Sequence, residues 1–437
     1  MTAVWCERAW LGGAEVDTGV LLAIDDGRIV EVQAGVEAPS EAERLAGVTI
    51  PGLANVHSHA FQRVLRGRTQ RRRGTFWSWR DAMYEAAAAL TPDAYLELAT
   101  AVFGEMALAG ITLVGEFHYV HHAPDGTPYA DPNELGHAVV QAAAAAGVRL
   151  TLLDTCYLHG GIGVPVEGAQ RRFADAGVDA WAARVDALHD GELVRVGAAA
   201  HSVRALEPGE LREVAAWADR RGAPLHAHVS EQRAENESCT AAYGRTPVAV
   251  LEEAGCLGPR FTAVHGTHLT DDDLRLLGTS GGTCCLCPTT ERDLGDGIGR
   301  ASALAEAGAR LAVGSDSNAV VDLFEEARAV ELDERLACEE RVLHDPAALL
   351  GAATRNGYAA LGWTGGELAA GACADLVGVD LGSTRLAGIR PEDVVPALVF
   401  AAQPSDVRHV MVGGRWIVRD GAHVSLDVAA ALERAVR

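Results

Sequence analysis

The chain has 437 residues, 49% hydrophobic and 22% charged, with a formal net charge of −23. That length suits one large α/β barrel with an appendage, or two to three domains, and the acidic balance argues against nucleic acid and anionic membrane surfaces as partners. All 37 basic positions are arginine, which excludes Schiff-base chemistry on lysine, a Walker lysine and a metal bridge built from carbamylated lysine.

No apolar run is long enough to span a membrane. The start, Met1 to Glu7, lacks the basic and apolar regions of a signal peptide, so a cytoplasmic protein is expected. Nine scattered cysteines fit reduced thiols better than a disulfide framework.

Residues 1–50 alternate in short apolar runs, Val16–Ile24, Arg28–Val32 and Val48–Ile50, with Asp25-Asp26-Gly27 as a hairpin turn. Residues 363–437 have the same character, with strands expected at Ala374–Val379, His409–Val412 and Arg415–Val418 and a turn at Gly413-Gly414. Both chain ends are therefore expected to build one small β-sandwich, interrupted by a central domain at residues 51–362.

That centre alternates strand-like and helix-like segments. Helices are expected at Pro92–Ala109, Pro132–Ala146, Ala174–Leu188, Pro208–Arg221 and Pro247–Ala254. Short apolar runs lie between them: Thr112–Val114, Arg149–Leu153, Val194–Ala198, Pro224–His228, Thr262–His265, Gly282–Leu286 and Leu311–Asp316. With the segment after Pro51 they make eight βα units, the rhythm of a TIM barrel. Gly161-Ile162-Gly163 lacks the rest of a dinucleotide fingerprint. The arginine run Arg66–Arg73 reads as a solvated loop.

In such a barrel the chemistry sits at the C-terminal strand ends. The first strand ends in His57-Ser58-His59, whose i, i+2 spacing puts both imidazoles on one side of a strand. The fourth supplies His201 to Arg204, the fifth His228 and Glu231, the sixth His265 and the eighth Asp316. Three histidines and an aspartate make a four-ligand set for zinc. Glu231, three residues past His228, can lean over the metal and carry protons, and His265 can hydrogen-bond the attacking water or the developing charge. Arg80 and Arg204 suit bidentate carboxylate capture, although Arg80 beside Trp77 and Trp79 equally suits a stacked structural arginine. Cys284, Cys285 and Cys287 continue a strand and read as core. One of His118, His121 and His122 is a candidate to line the pocket.

With the H-x-H of strand one, the H-x-x-E of strand five, the histidine of strand six and the Ser-Asp of strand eight in order, the sequence resembles the amidohydrolase superfamily over nearly its whole length. Gly366–Gly371 and Ala374–Leu376 resemble the β-sandwich signature of that family. The missing lysine points to its one-metal deaminases. Asn55–Arg63, Phe76–Tyr84, Gly115–Tyr119, His201–Arg204, Cys287–Glu291 and Leu294–Gly297 give a closer resemblance to the formimidoylglutamate deiminase branch, which acts in histidine degradation. The resemblance implies metal ligation by His57, His59, His228 and Asp316 and catalytic roles for Glu231, His265 and Asp316. It also implies substrate contacts from Gln62, Arg80, Tyr119, His201 and Arg204. The expected cofactor is one divalent metal per subunit, Zn²⁺ ahead of Fe²⁺, the expected ligand a small dicarboxylate, and the expected assembly a homodimer. Deaminases of guanine, adenosine-type or triazine substrates are the rival reading, and a non-catalytic barrel a remote one.

Overall fold

The computed structural model describes residues 2–71 and 73–436; Met1, Arg72 (a member of the arginine run) and Arg437 lie outside the described residues. The N-terminal strands are β1 (Thr2–Ala9), β2 (Asp17–Asp25), β3 (Arg28–Gln33) and β4 (Glu43–Pro51). The central strands are β5 (Leu53–Ser58), β6 (Ile111–His118), β7 (Arg149–Cys156), β8 (Val194–Ala200), β9 (Leu225–Val229), β10 (Phe261–His265), β11 (Thr283–Leu286) and β12 (Arg310–Val313). The chain closes with β13 (Leu376–Val379), β14 (Val407–Val412), β15 (Arg415–Arg419) and β16 (Ala422–His423).

Strands β5 to β12 form one eight-stranded parallel sheet in sequence order. Each strand is buried along nearly its whole length, as parallel strands covered by crossover helices must be. The sheet closes into a barrel where β5 meets the end of β12. The Asp316 N–H donates to the His57 carbonyl at 2.9 Å and the His59 N–H to the Asp316 carbonyl at 2.9 Å, making a Ser58–Asp316 parallel bridge. Gly314 permits this closure, because a Cβ there would lie 2.8 Å from both the backbone N and O of His57.

The two chain ends form a second sheet in the order β16-β15-β14-β13-β4-β1-β2-β3. The expected sandwich thus takes the form of one continuous sheet around its own small core, with Val4, Val20, Leu22, Ile29, Leu376 and Met411 inside. Strand β4 pairs with β13 through Pro51 and Leu376, and the chain enters β5 at once, so the sheet fixes where the first barrel strand starts. Arg149 at the start of β7 reaches across to Asp375 with two hydrogen bonds, 2.7 and 3.1 Å, tying barrel to sheet.

Three helices fall where expected with trimmed ends, Pro92–Leu108, Glu134–Ala146 and Pro247–Glu253, and Pro208–Arg221 has the expected bounds. The third expected helix is shorter than the pattern predicts, Val178–Val185 against Ala174–Leu188. Asp175 is drawn off to pair with Arg184, whose Nη2 is 2.8 Å away. The arginine run is not wholly solvated. Arg66 donates to Glu105 at 2.7 Å and to the Asn318 carbonyl, while Arg68 reaches the Val436 carbonyl.

Candidate active site

At the mouth of the barrel four side chains converge from two strand ends and the turn after a third strand. His57 Nε2 lies 3.1 Å from His228 Nε2 and 3.4 Å from Asp316 Oδ1. His59 Nε2 is also 3.4 Å from Asp316 Oδ1. The tautomers are fixed from behind: His59 Nδ1 donates to the Phe117 carbonyl and His228 Nδ1 to the His201 carbonyl, both at 3.0 Å. The Nε2 lone pairs of these two rings therefore face the cluster. Burial, reinforced by the neighbouring imidazoles, drives His57 and His228 well below the usual histidine range and His59 to about 3, so all three rings are neutral. Neutral nitrogens and a carboxylate packed this closely repel one another, and a cation resolves that repulsion. The N₃O donor set suits zinc or ferrous iron.

The backbone is strained where these groups are presented. Ser230, His265, Asp316 and Asn318 have φ of +52°, +72°, +45° and +55°, values that non-glycine residues adopt at a cost and that cluster at functional sites. Ser230 separates Val229, the last residue of β9, from Glu231, and its left-handed turn swings the Glu231 carboxylate into the cavity. Asn318 holds the turn after β12: its Nδ2 donates to the His59 carbonyl at 3.0 Å, and its Oδ1 accepts from Ser315 Oγ at 2.7 Å. Asn55 of β5 completes the clamp with 2.7 and 2.9 Å bonds to Ser315. Neither asparagine is singled out by spacing, because their partners lie some 260 residues apart in the chain.

A cavity of about 720 Å³, open mouth included, rises over the cluster. Its walls include Gln62, Arg80, Tyr119, His201, Arg204, Glu231, His265 and Asp316, so the structure brings every expected substrate contact and proton carrier together. Aromatic rings of Phe76, Trp79, Tyr84, Tyr157 and Phe173 complete the wall; sequence patterning did not single them out for this role.

The two arginines differ. Arg204 is committed within the protein: Nη2 donates to Glu231 Oε2 at 3.2 Å, and Nε lies 3.7 Å from Glu235 Oε2. Burial lowers its basicity, but Glu235 and Glu231 more than restore it. Arg80 lies over the Trp77 ring at 4.5 Å and the Tyr84 ring at 5.4 Å. No acidic side chain among the described residues pairs with it, and its buried Nε has no hydrogen-bond partner. The stacked and the carboxylate-binding readings of Arg80 are therefore compatible.

His265 sits among carboxylates, with Nε2 3.9 Å from Glu231 Oε1 and 3.8 Å from Asp316 Oδ2, and Nδ1 3.3 Å from Glu291 Oε1. Burial works against its protonation, but those three carboxylates by themselves outweigh it and lift the ring to about 10; a cation held beside Asp316 would work the other way and leave Nε2 able to accept a proton. Glu291 had no role assigned from sequence; placed after Pro288 in the first turn of a short helix, it reads there as an ordinary helix-start acid.

None of His118, His121 and His122 lines the cavity, against the expectation for one of them. They pack behind Tyr119 in a network with Asp154, Asp175 and Arg184. Asp154 is taken by Arg184 at 2.7 and 2.9 Å and by Trp181 at 3.1 Å, so the guanidinium already occupies the place of a cation. Burial opposes ionisation of Asp175, but His122 and Arg184 overcome it and hold this carboxyl well below its ordinary range. The sign follows: the stabilisation is present above the unfolded carboxyl pKa and is lost as pH falls below it. Asp175→Asn is expected to lower stability by about 1–3 kcal/mol at pH 7, with the difference shrinking in acid; urea melts at pH 7 and pH 3 check this. Cys284, Cys285 and Cys287 are buried as expected, and burial pushes the thiols of Cys284 and Cys287 far up, which disfavours thiolate ligation.

Comparison with known proteins agrees with this geometry. Residues 48–417 match the profile described as "Amidohydrolase family". The chain is 37% identical to a formimidoylglutamate deiminase of Pseudomonas aeruginosa, over 98% of this chain and 97% of that protein. Among solved structures, an amidohydrolase from Brucella melitensis superposes with a TM-score of 0.93 at 34% identity, covering 100% and 99% of the two chains. An adenosine deaminase from Xanthomonas campestris with bound zinc gives 0.85 at 25% identity, covering 99% and 96%. An eight-stranded parallel barrel with a sheet made from both chain ends, a histidine–aspartate cluster at its mouth and a matching profile over most of its length lead to one conclusion: this chain belongs to the amidohydrolase family.

Proposed function

We propose that the protein hydrolyses N-formimidoyl-L-glutamate to N-formyl-L-glutamate and ammonia, using one divalent metal, zinc by preference, held by His57, His59, His228 and Asp316. The observation that carries the substrate reading is Arg80, a cavity guanidinium for which no described carboxylate is a partner. Such a group is suited to a substrate carboxylate. The 37% identity to the Pseudomonas aeruginosa enzyme supports the same substrate.

When bound, the metal supplies Lewis-acid polarisation and makes water more acidic beside the amidine carbon. Attack of water forms a C–O bond and releases a proton; expulsion of ammonia breaks the C–N bond and needs a proton on the departing nitrogen. Glu231 is suited to carry that proton from one to the other, its carboxylate steadied by Arg204. Asp316 and His265 flank the same space and offer further proton acceptors. Gln62 Nε2 donates to the Tyr119 hydroxyl at 2.9 Å, which leaves its buried Oε1 without a protein partner and suited to an amidine N–H. His201, driven well below the usual range by burial and by Arg204, offers a neutral ring to the substrate.

The aromatic walls favour a second reading, an aminopurine deaminase, since flat rings suit a nucleobase. Incubation with N-formimidoyl-L-glutamate, adenosine and guanine, with products identified by mass spectrometry, separates the two. Formylglutamate plus ammonia supports the first reading; glutamate plus formamide shows cleavage of the other C–N bond and refutes it; purine turnover alone supports the second. Arg80→Met is expected to raise KM about 10- to 100-fold, the loss of one charge-assisted contact, with kcat less affected. An unchanged KM in steady-state kinetics removes Arg80 from the substrate site.

A further inference from the structure

Glu291 does not line the cavity, yet its carboxylate is nearer to His265 than either Glu231 or Asp316 is. We propose that Glu291 is a positioning residue: it keeps the proton of His265 on Nδ1, so that Nε2 faces Glu231 and Asp316 across the cavity. This rests on His265 acting inside the cavity, as argued above.

Three features fix the arrangement. Glu291 Oε1 accepts the Cys287 N–H at 2.9 Å while facing His265 Nδ1 at 3.3 Å, so one oxygen is held between backbone and ring. The Glu291 N–H in turn donates to the Cys287 carbonyl at 2.9 Å, and the Glu291 carbonyl accepts from Asp296 at 2.9 Å. The carboxylate therefore stands on a backbone bonded on both sides. His265 itself is held in the left-handed region, φ +72°, so its ring direction is not left to an ordinary strand end and depends on what it meets.

The chemistry follows the logic of a histidine oriented by a buried carboxylate. A proton taken up at Nε2 forms one N–H bond there and leaves an imidazolium whose Nδ1–H stays on Glu291. The same proton then leaves Nε2 for Glu231, which delivers it to the departing nitrogen. No proton passes to Glu291. Without that acceptor, the ring is free to turn over and present its N–H to the cavity in place of a lone pair.

Glu291→Gln and Glu291→Ala, prepared as metal-loaded protein, test this. In the glutamine variant the Cys287 N–H keeps the side-chain oxygen turned toward the ring, so the tautomer is retained and only the charge is lost. With ¹⁵N-histidine labelling and His265 assigned by difference from His265→Asn, Nδ1 is expected to be protonated in wild type and in Glu291→Gln, and to become partly unprotonated in Glu291→Ala. For turnover, kcat is expected to fall about 10²- to 10³-fold in Glu291→Ala, within the usual range for proton-transfer groups, and less in Glu291→Gln, with KM within about threefold and metal content unchanged in both. A wild-type His265 bare at Nδ1, or Glu291→Ala with unaltered nitrogen shifts or unaltered kcat, overturns the proposal. If Glu291→Ala does not fold, the wild-type and Glu291→Gln spectra still decide. If formimidoylglutamate is not a substrate, the kinetic arm fails with the substrate reading, while the nitrogen spectra continue to test Glu291.

Discussion

Replacing Glu231 by glutamine is expected to lower kcat by about 10²- to 10⁴-fold, the range found for removal of a general acid–base group, while metal content stays at the wild-type level. The side chain keeps its shape but can no longer accept a proton from water and return it to the leaving nitrogen. The proposed metal ligands are untouched, because His57, His59, His228 and Asp316 meet one another without Glu231. Metal analysis beside steady-state kinetics makes the check. Loss of metal in this variant would place Glu231 in the ligand shell and end its role as a separate proton carrier. Arg204 is coupled to the same residue through the 3.2 Å bond to Oε2, so Arg204→Met is expected to reduce kcat as well as raise KM, unlike a pure substrate-anchoring arginine.

The second large effect is expected far from any titrating group. Gly314→Ala would place a methyl 2.8 Å from the backbone N and O of His57 and 2.9 Å from its Cβ. Neither backbone atom can step aside without moving β5, which carries His57 and leads directly into His59. The methyl therefore pushes β12 from β5 and loosens the Ser58–Asp316 bridge, separating Asp316 from both histidines. A stability loss of about 1–3 kcal/mol is expected from the overpacking, together with loss of most bound metal and at least tenfold in turnover, since a displacement of about 1 Å is costly at such a site. Thermal melts with and without added zinc and metal stoichiometry check it; wild-type metal content would show that the two strands can part without opening the cluster.

The cluster of three histidines and an aspartate was legible in the sequence because its members sit at or just past strand ends and the β-strand period is two. His57 and His59 had to share a side, and His228, Glu231, His265 and Asp316 fell on later strand ends of a regular eightfold alternation. Even the departure at Asp316 has a local cause: it lies past the end of β12, which stops at Val313, and is carried to the cluster by the bridge to Ser58. The histidines at 118, 121 and 122 illustrate the limit. Their residue types alone suit a pocket, but whether they face it depends on Arg184, 62 residues beyond His122, which binds Asp154 and Asp175 and draws the cluster into the core.

By itself, the sequence determined the barrel with its appended sheet, the residue types gathered at its mouth and the absence of a lysine bridge, because these depend on local periodicity and on which side chains exist at all. Tertiary structure alone decided which charges are already spent. Arg80 and Arg204 look alike in the chain, yet one is free for a ligand and the other is bound to Glu231 and Glu235. Glu291 looks like a helix-start acid, yet it faces His265. The physical reason is that charge pairing depends on distances of a few ångströms between residues tens to hundreds of positions apart, set only when β5 and β12 meet and the barrel closes.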